Sequence, residues 1–314
     1  MTRPPSAPEI VVFGSLNMDL VVRVPRVPAA GETLQAHGFM TNPGGKGANQ
    51  AVACARQGAR VGMVGRVGRD GFGAALRAAL AADGIDVDSV GTAGDSSGIA
   101  VIVVDDAAQN RIALVPGANA QLGPADADAA PAIATARLLL LQCEVPMAAN
   151  LRAAELAHGA GATVVLNPAP VCALPDALWP LVGVLVVNEV EAAALAGTAV
   201  NDVGTAAAAA RALLRRGPST AIVTLGGEGV VVADDRGCRH FAALRVHAVD
   251  TTAAGDSFIG AWCAARVAGL STDAAVARGI RAAALCVARP GAQISIPTRE
   301  ELAELPEVAP PTWL

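Results

Sequence analysis

The residue types able to do chemistry fall in a few short polar motifs. The most informative is the octapeptide Asp250-Thr251-Thr252-Ala253-Ala254-Gly255-Asp256-Ser257. An apolar stretch that reads as a strand (244–249) precedes it. After it, Phe258, Ala261, Trp262 and Ala265 recur at the spacing of one helix face. Small residues at a helix start leave backbone N–H groups open to an anion. Such groups can hold the charge that builds up on a transferring phosphoryl group. Asp256 can take a proton from an attacking hydroxyl. Read by itself, it is first of all a helix N-cap.

A second motif, Gly44-Gly45-Lys46-Gly47-Ala48-Asn49-Gln50, opens a helix in which Ala48, Ala51, Val52 and Ala55 share one face. Its glycines permit close backbone approach, and Lys46 and Asn49 offer donors to a polyol. It is not a Walker A loop, because Gly47 stands where Ser or Thr is required. Nor is it G-x-G-x-x-G, because Gln50 takes the last position. Asn17 and Asp19, in Gly14-Ser15-Leu16-Asn17-Met18-Asp19, pair a donor with an acceptor as vicinal sugar hydroxyls need; an Asx-rich turn reads equally well. Asn188-Glu189-Val190-Glu191 follows a strand. Its carboxylates can hold a metal-bound water, or simply compensate a helix dipole. Thr224-Leu225-Gly226-Gly227-Glu228-Gly229 can wrap nucleotide phosphates or form a plain hairpin.

These motifs need a frame, and the pattern supplies one. Strands are expected at 10–13, 20–24, 33–40, 60–65, 99–104, 111–115, 138–141, 163–166, 184–187, 221–225 and 230–233. Helices are expected at 46–57, 71–82, 147–158, 189–196, 203–216, 255–268 and 272–288. From residue 137 strands and helices alternate, and the strands are continuously apolar, which implies a parallel sheet covered on both faces. The strand-rich stretches near 20–40 and 96–116 interrupt this rhythm and read as a small covering sheet. In such folds ligands sit at the carboxyl ends of the strands, where these motifs fall.

Composition narrows the class. The 314 residues are 53% hydrophobic and 16% charged, enough for a sizeable core and too apolar for disorder. Aromatics are 3%, with no tyrosine, so Ala, Val, Leu and Ile must build that core. The net charge of −5, with no basic run, argues against nucleic acid as the main ligand. No apolar run approaches the 18 or so residues of a membrane span. Residues 1–9, Pro-rich and polar, read as a disordered lead-in without the apolar core of a secretion signal. The six cysteines stand far apart without a C-x-x-C pair, as buried small hydrophobes of a reducing cytoplasm do. The four histidines lack metal-ligand spacing.

Taken together and in this order, the motifs resemble the ribokinase branch of the carbohydrate kinase family that also contains fructokinases and adenosine kinases. The resemblance runs from Val11 to about Pro297, and Asn167-Pro168-Ala169-Pro170 and Gly291-Ala292-Gln293-Ile294-Ser295-Ile296-Pro297 strengthen it. It implies an α/β fold: a ribokinase-like three-layer sandwich with a mostly parallel central sheet and a small β-sheet lid. The kinase domain would span 10–306, with the lid inserted at about 20–40 and 96–116 and a C-terminal tail at 307–314.

The implied reaction is ATP-dependent phosphorylation of D-ribose at O5. Asp256 would be the base, and Ala253, Ala254 and Gly255 the anion hole. Asn17, Asp19, Gly45, Lys46, Asn49 and Glu144 would bind the sugar. Asn188, Thr224, Leu225, Gly226, Gly227, Glu228 and Gly229 would line the ATP site, with Glu191 ordering Mg²⁺. The resemblance further implies a K⁺ activator held by Asp250, Thr252, Cys286, Arg289, Gly291 and Ser295, mostly through backbone carbonyls. It also implies a homodimer through the lid, with no nucleic-acid or membrane partner. Family members often set a polar residue near the adenine where this chain has Gly279-Ile280-Arg281.

Other readings stay open at this point. A sibling kinase for deoxyribose, fructose or adenosine would share Asp256 and the anion hole. A G-D-S serine hydrolase would carry Gly255-Asp256-Ser257 near its N-terminus with a late Asp-x-x-His, which this chain lacks. A sugar or nucleotide sensor would keep the fold without turnover.

Overall fold

The computed structural model describes residues 7–107 and 109–314. Most of the expected lead-in, residues 1–6, therefore lies outside the described residues. The strands, in chain order, are β1 (Ile10–Phe13), β2 (Asn17–Arg23), β3 (Gly38–Gly44), β4 (Val61–Val67), β5 (Val90–Thr92), β6 (Gly98–Val104), β7 (Asn110–Val115), β8 (Leu138–Gln142), β9 (Thr163–Asn167), β10 (Val184–Asn188), β11 (Thr220–Thr224), β12 (Val230–Asp234), β13 (Gly237–Phe241) and β14 (Thr312–Trp313). The helices are α1 (Lys46–Arg56), α2 (Gly71–Ala82), α3 (Pro124–Asp128), α4 (Ala132–Thr135), α5 (Met147–Gly159), α6 (Glu189–Ala196), α7 (Val203–Leu214), α8 (Ala254–Val267), α9 (Thr272–Val287) and α10 (Arg299–Leu302).

A ten-stranded sheet has the order β14-β13-β12-β11-β10-β9-β8-β1-β4-β5. It is parallel from β5 through β11 and antiparallel from β11 to β14. Strand periodicity sends alternate residues to opposite faces. Val11 and Phe13 join Leu139, Leu141, Leu185 and Val187 in one core, under α3 to α7. Ile10 and Val12 join Leu138, Leu140, Val184 and Val186 in the other, under α1, α2, α8 and α9. Each fully buried Val, Leu or Phe contributes on the order of 1.5–3 kcal/mol, so a strand apolar on both faces is stable only between two helix layers. This gives the three-layer sandwich.

The second sheet has four strands in the order β3-β2-β6-β7. Here β2 pairs parallel with β6 and antiparallel with β3, and β6 pairs antiparallel with β7. Val21 lies opposite both Met40 and Ile102, and Ile102 opposite Ile112, so one apolar row crosses all four strands. Asp19, two residues before Val21, shares that face.

Several expectations shift. The strand expected at 33–40 is β3, displaced to Gly38–Gly44. It tolerates Pro43 because it is an edge strand, where no ladder N–H is needed on the outer side. Asn17 and Asp19 are strand residues of β2, not an Asx turn. The stretch 244–249 joins no ladder; Val246 and Val249 are exposed. The segment 307–314, set apart in sequence as a tail, adds the edge strand β14 to β13. All six cysteines are free, and Cys143 and Cys172 are only partly buried.

Candidate active site

The chain between β1 and β2 packs backbone to backbone against the start of α1. A Cβ on Gly47 would lie 2.6 Å from Ser15 N, and one on Gly45 (φ 91°) 2.7 Å from Asn17 N. This is why the Gly44–Gln50 motif is rich in glycine. The Glu144 carboxylate, just past β8, is the hub of the contact. Its Oε2 accepts from Ser15 Oγ at 2.5 Å, Lys46 N at 3.0 Å and Asn17 Nδ2 at 3.3 Å. Asn119, a residue the sequence reading missed, pins the same turn. Its side chain pairs with Leu16 N and O at 3.0 and 3.1 Å and donates to Asn17 Oδ1 at 2.7 Å. Buried amides of this kind carry no motif spacing; only the fold brings Asn119 to Asn17.

Asp19 faces the cleft from β2, with Gly44 so close that a Cβ there would lie 2.4 Å from Asp19 Oδ2. Burial first, then the charges of Glu144 and Asp256, push the Asp19 carboxyl up to about 7. Burial works against the Lys46 ammonium, yet Asp256, Glu144 and Glu191 outweigh it and hold its pKa above the ordinary value.

Asp256 lies in the first turn of α8, 8% exposed, and caps nothing. The N-cap position belongs to Ala253, in the left-handed region at φ 60°, the one non-glycine residue with positive φ among the described residues. The N-cap reading of Asp256 is thereby excluded. Ser257 N–H bonds back to Ala253 O at 2.8 Å. Gly255 is exposed, and a Cβ on it would meet nothing within 4 Å, so an anion can approach the helix start. Asp256 Oδ2 accepts from Asn49 Nδ2 at 3.1 Å and Oδ1 from Gln50 Nε2 at 2.9 Å.

At the carboxyl ends of the next strands, Asn188 ends β10 in register with Thr224 at the end of β11. Asn188 and Glu191 form a reciprocal capping box at the start of α6, with Asn188 Oδ1 accepting from Glu191 N at 2.8 Å and Glu191 Oε2 from Asn188 N at 2.9 Å. Both carboxylate oxygens of Glu191 thus serve the cap. Burial raises the Glu191 carboxyl, against the Asn188 N–H bond and the Lys46 charge. Leu225, Gly226, Gly227, Glu228 and Gly229 make the tight β11–β12 connection, closed by Leu225 N to Gly229 O at 2.8 Å. The hairpin reading of this motif is the one the backbone shows. A Cβ at Gly229 (φ 103°) would strike Phe241 O at 2.0 Å.

The third group joins two loops. Asp250 Oδ1 accepts from Thr252 N and Oγ1 at 2.9 and 2.6 Å, and Oδ2 accepts from Gly291 N at 2.9 Å. Burial alone would raise the Asp250 carboxyl; the bonds from Thr252 and Gly291 overcome it and hold the pKa below the usual value. The Cys286 thiol lies 3.1 Å from Ser295 Oγ, and Arg289 pairs with Glu301 at 2.7 Å. The Cys286 thiol is engaged and the Arg289 guanidinium is itself a cation without an acceptor, so each has only its main-chain carbonyl to offer a cation. Among the described residues, no cluster of three His, Cys, Asp or Glu is arranged to hold a metal.

A cleft of about 860 Å³ runs from Asp19, Val21 and Met40 of the lid to Asp250, Thr252 and Gly291. A smaller cavity of about 340 Å³ adjoins Asn17, Asn119 and Glu144. The Gly279-Ile280-Arg281 stretch turns elsewhere: a Cβ on Gly279 would strike the Phe258 ring at 2.6 Å, Ile280 is buried, and Arg281 bonds the Leu305 carbonyl at 2.9 Å.

A parallel α/β sandwich, a small sheet over its cleft, and a carboxylate at an open helix start define a phosphoryl-transfer enzyme acting on a polyol. Residues 7–299 match the pfkB family carbohydrate kinases, and the chain belongs to that family. It is 40% identical over 302 residues to a ribokinase of Haemophilus influenzae, covering 96% of this chain and 99% of that one. A deoxyribokinase of Salmonella typhi is 37% identical over 299 residues, covering 94% and 98%. Among solved structures, Arabidopsis thaliana ribokinase complexed with ribose and ATP superposes with a TM-score of 0.88 at 31% identity, covering 95% and 98%.

Proposed function

We propose that this protein transfers the γ-phosphoryl group of ATP to O5 of D-ribose, giving D-ribose 5-phosphate and ADP. The observation that carries the reading is Asp256, held by two amide donors beside an open helix start. In this scheme Asp256 takes the O5 proton as the oxygen attacks the γ-phosphorus, and the bond to the ADP oxygen breaks. Backbone N–H groups at Ala253, Ala254 and Gly255 would meet the charge on the phosphoryl oxygens, the Ala254 N–H exchanging the Thr251 carbonyl that it bonds at 3.3 Å. Asn17, Asp19, Lys46, Asn49 and Glu144 grip the sugar hydroxyls, and Gly45 lets them close in. The ends of β10 and β11, with Asn188, Thr224 and the glycines to Gly229, take the nucleotide.

Mg²⁺ travelling with ATP would neutralise phosphate charge, and Glu191 would order its water shell; an ion that keeps most of its waters needs no protein cage. The oxygen donors of Asp250, Thr252, Cys286, Arg289, Gly291 and Ser295 suit a monovalent cation such as K⁺, on two loops that Asp250 already ties together. Phe39, Ile112, Leu114 and Val115 leave apolar surface exposed on the lid, which supports a homodimer joined there. Among the described residues no helix is long and apolar enough to cross a membrane; with six free cysteines this accords with a cytoplasmic enzyme.

The test is ADP release with Mg²⁺-ATP against ribose, deoxyribose, fructose and adenosine, with and without K⁺, for the native protein and Asp256→Asn. Ribose-dependent turnover that K⁺ stimulates and Asp256→Asn abolishes is expected. Preference for deoxyribose keeps the mechanism and changes the substrate. Binding of ribose and ATP without turnover overturns the reading in favour of a sensor.

A further inference from the structure

Gln50 is fully buried, touches Asp256, and belongs to none of the substrate-binding roles above. Its amide sits at the centre of a polar chain that crosses the core. Nε2 donates to Asp256 Oδ1 at 2.9 Å and to Asn167 Oδ1 at 3.1 Å, and Oε1 accepts from Gln142 Nε2 at 2.7 Å. Gln142 and Asn167 end the neighbouring strands β8 and β9, in register with each other. Asn167 Nδ2 in turn donates to the Val186 carbonyl of β10 at 3.0 Å.

The far end of this chain fixes its polarity. A backbone carbonyl can only accept, so Asn167 must turn its NH₂ to Val186 and its oxygen to Gln50. Gln50 must then present its NH₂ to Asn167, and the second hydrogen of that NH₂ points at Asp256. Gln142, whose own Oε1 has no partner among the described residues, follows this orientation by donating to the Gln50 oxygen. Flipping the Gln50 amide would set its oxygen against two acceptors, Asn167 Oδ1 and Asp256 Oδ1. In a buried site each unpaired group of this kind is costly.

We propose that Gln50 is a positioning residue: Asn167 at the end of β9, anchored on the Val186 carbonyl of β10, locks its amide as a donor, and that donor fixes the rotamer of the Asp256 carboxylate toward the attacking hydroxyl. The inference rests on Asp256 being the base. Asn49 holds the other oxygen, so the carboxylate is gripped from two successive residues of α1. One oxygen must still reach the substrate proton, and a carboxylate free to rotate would spend much of its time misdirected. Misplacement on the scale of an ångström costs up to about a hundredfold in rate.

The test compares kcat, ribose KM and ribose Kd by calorimetry for native enzyme, Gln50→Met, Gln50→Glu and Asp256→Asn. For Gln50→Met we expect kcat to fall about tenfold to a hundredfold with ribose Kd within about twofold of native. Gln50→Glu is nearly isosteric, so a merely space-filling role predicts that it is the milder change. The positioning role predicts the reverse near neutral pH, because Glu brings an acceptor and a second charge against Asp256, and its kcat relative to native recovers as pH falls and a donor returns. Should Gln50→Met fail to fold, Gln142→Met reads the same chain one amide further out and is expected to lower kcat with ribose Kd kept. Native kcat in Gln50→Met, or in Gln142→Met where that variant stands in, overturns the inference. So does loss of ribose binding in parallel with kcat. If Asp256→Asn itself keeps turnover, the base assignment falls first; if it is inactive while Gln50→Met is native, only the role of Gln50 falls.

Discussion

Gly260 on α8 stands against Ala53 on α1 so closely that a Cβ at Gly260 would lie 2.3 Å from Ala53 Cβ and 2.8 Å from the Ala53 carbonyl carbon. Both lie four residues, about one helical turn, beyond the polar pair they serve: Asp256 on α8 and Asn49 on α1. The helix crossing therefore sets the reach of the Asn49 amide to Asp256, 3.1 Å.

Gly260→Ala tests that link. The added methyl meets backbone, so the helices must part or the turn must distort, and overpacking of this kind costs about 1–3 kcal/mol. The melting temperature should fall. In the molecules that stay folded, kcat should fall by more than ribose KM rises, since the separation acts on Asp256 and its two amide partners rather than on Glu144. Scanning calorimetry and steady-state kinetics check both. A variant with a lowered melting point and native kcat would show that the crossing serves stability alone.

Asp19 gives a pH dependence with a definite sign. Its carboxyl, raised to about 7 by burial and then by Glu144 and Asp256, carries a proton below that pH and is an acceptor above it. If it accepts from sugar hydroxyls, ribose KM should fall as pH rises through about 7 and level off beyond. Asp19→Asn should remove this dependence and hold KM high at every pH, by tenfold or more where a buried sugar hydroxyl loses its acceptor. The linkage to folding runs the other way. The folded state binds this proton more tightly than the unfolded chain, so the unliganded protein loses stability as pH rises from near 3.8 to about 7. Asp19→Asn should flatten that part of the stability curve, read by denaturant titration at pH 5 and pH 8.

How much of this was legible in sequence depends on the residue. Continuous apolar strands such as Leu138–Gln142 and the helix Gly71–Ala82 were readable because period and composition agree. The strand Gly237–Phe241 was not: it holds Arg239 fully buried, neutralised by Asp234 at 2.8 Å and Asp273 at 2.8 Å, and so looks like a polar loop. In the site, Asp256, Lys46, Asn17, Asp19 and Glu144 stood out as charged or amide residues beside glycines and strand ends. Gln50, Gln142, Asn167 and Asn119 act through partners about 90 to 200 positions away. Spacing along the chain carries no trace of such pairs. The lid strand β2 was read too short at its start because Asn17 and Asp19 look like turn formers, whereas ladder pairing of Asn17 with Gly44 and Gly98, and of Asp19 with Asn42 and Ala100, holds them extended.

Asp250 links the loop before α8 to the loop after α9, and its substitution separates a cation effect from a general loss of structure. In Asp250→Asn the charge is gone, and the amide can offer an oxygen to Thr252 or Gly291 but not to both ends at once. Were K⁺ bound there, stimulation of kcat by KCl should disappear or move to far higher salt, while ribose Kd stays near native because Glu144, Asn17 and Lys46 lie on other elements. The carboxyl of the native residue is held below its usual pKa by Thr252 and Gly291, so native K⁺ stimulation should persist as pH drops from 8 to 6 even as Asp19 takes up its proton. The measurement is a KCl titration of initial rates at both pH values, with NaCl balancing ionic strength. K⁺ stimulation surviving in Asp250→Asn at the native midpoint would remove these two loops as the cation site.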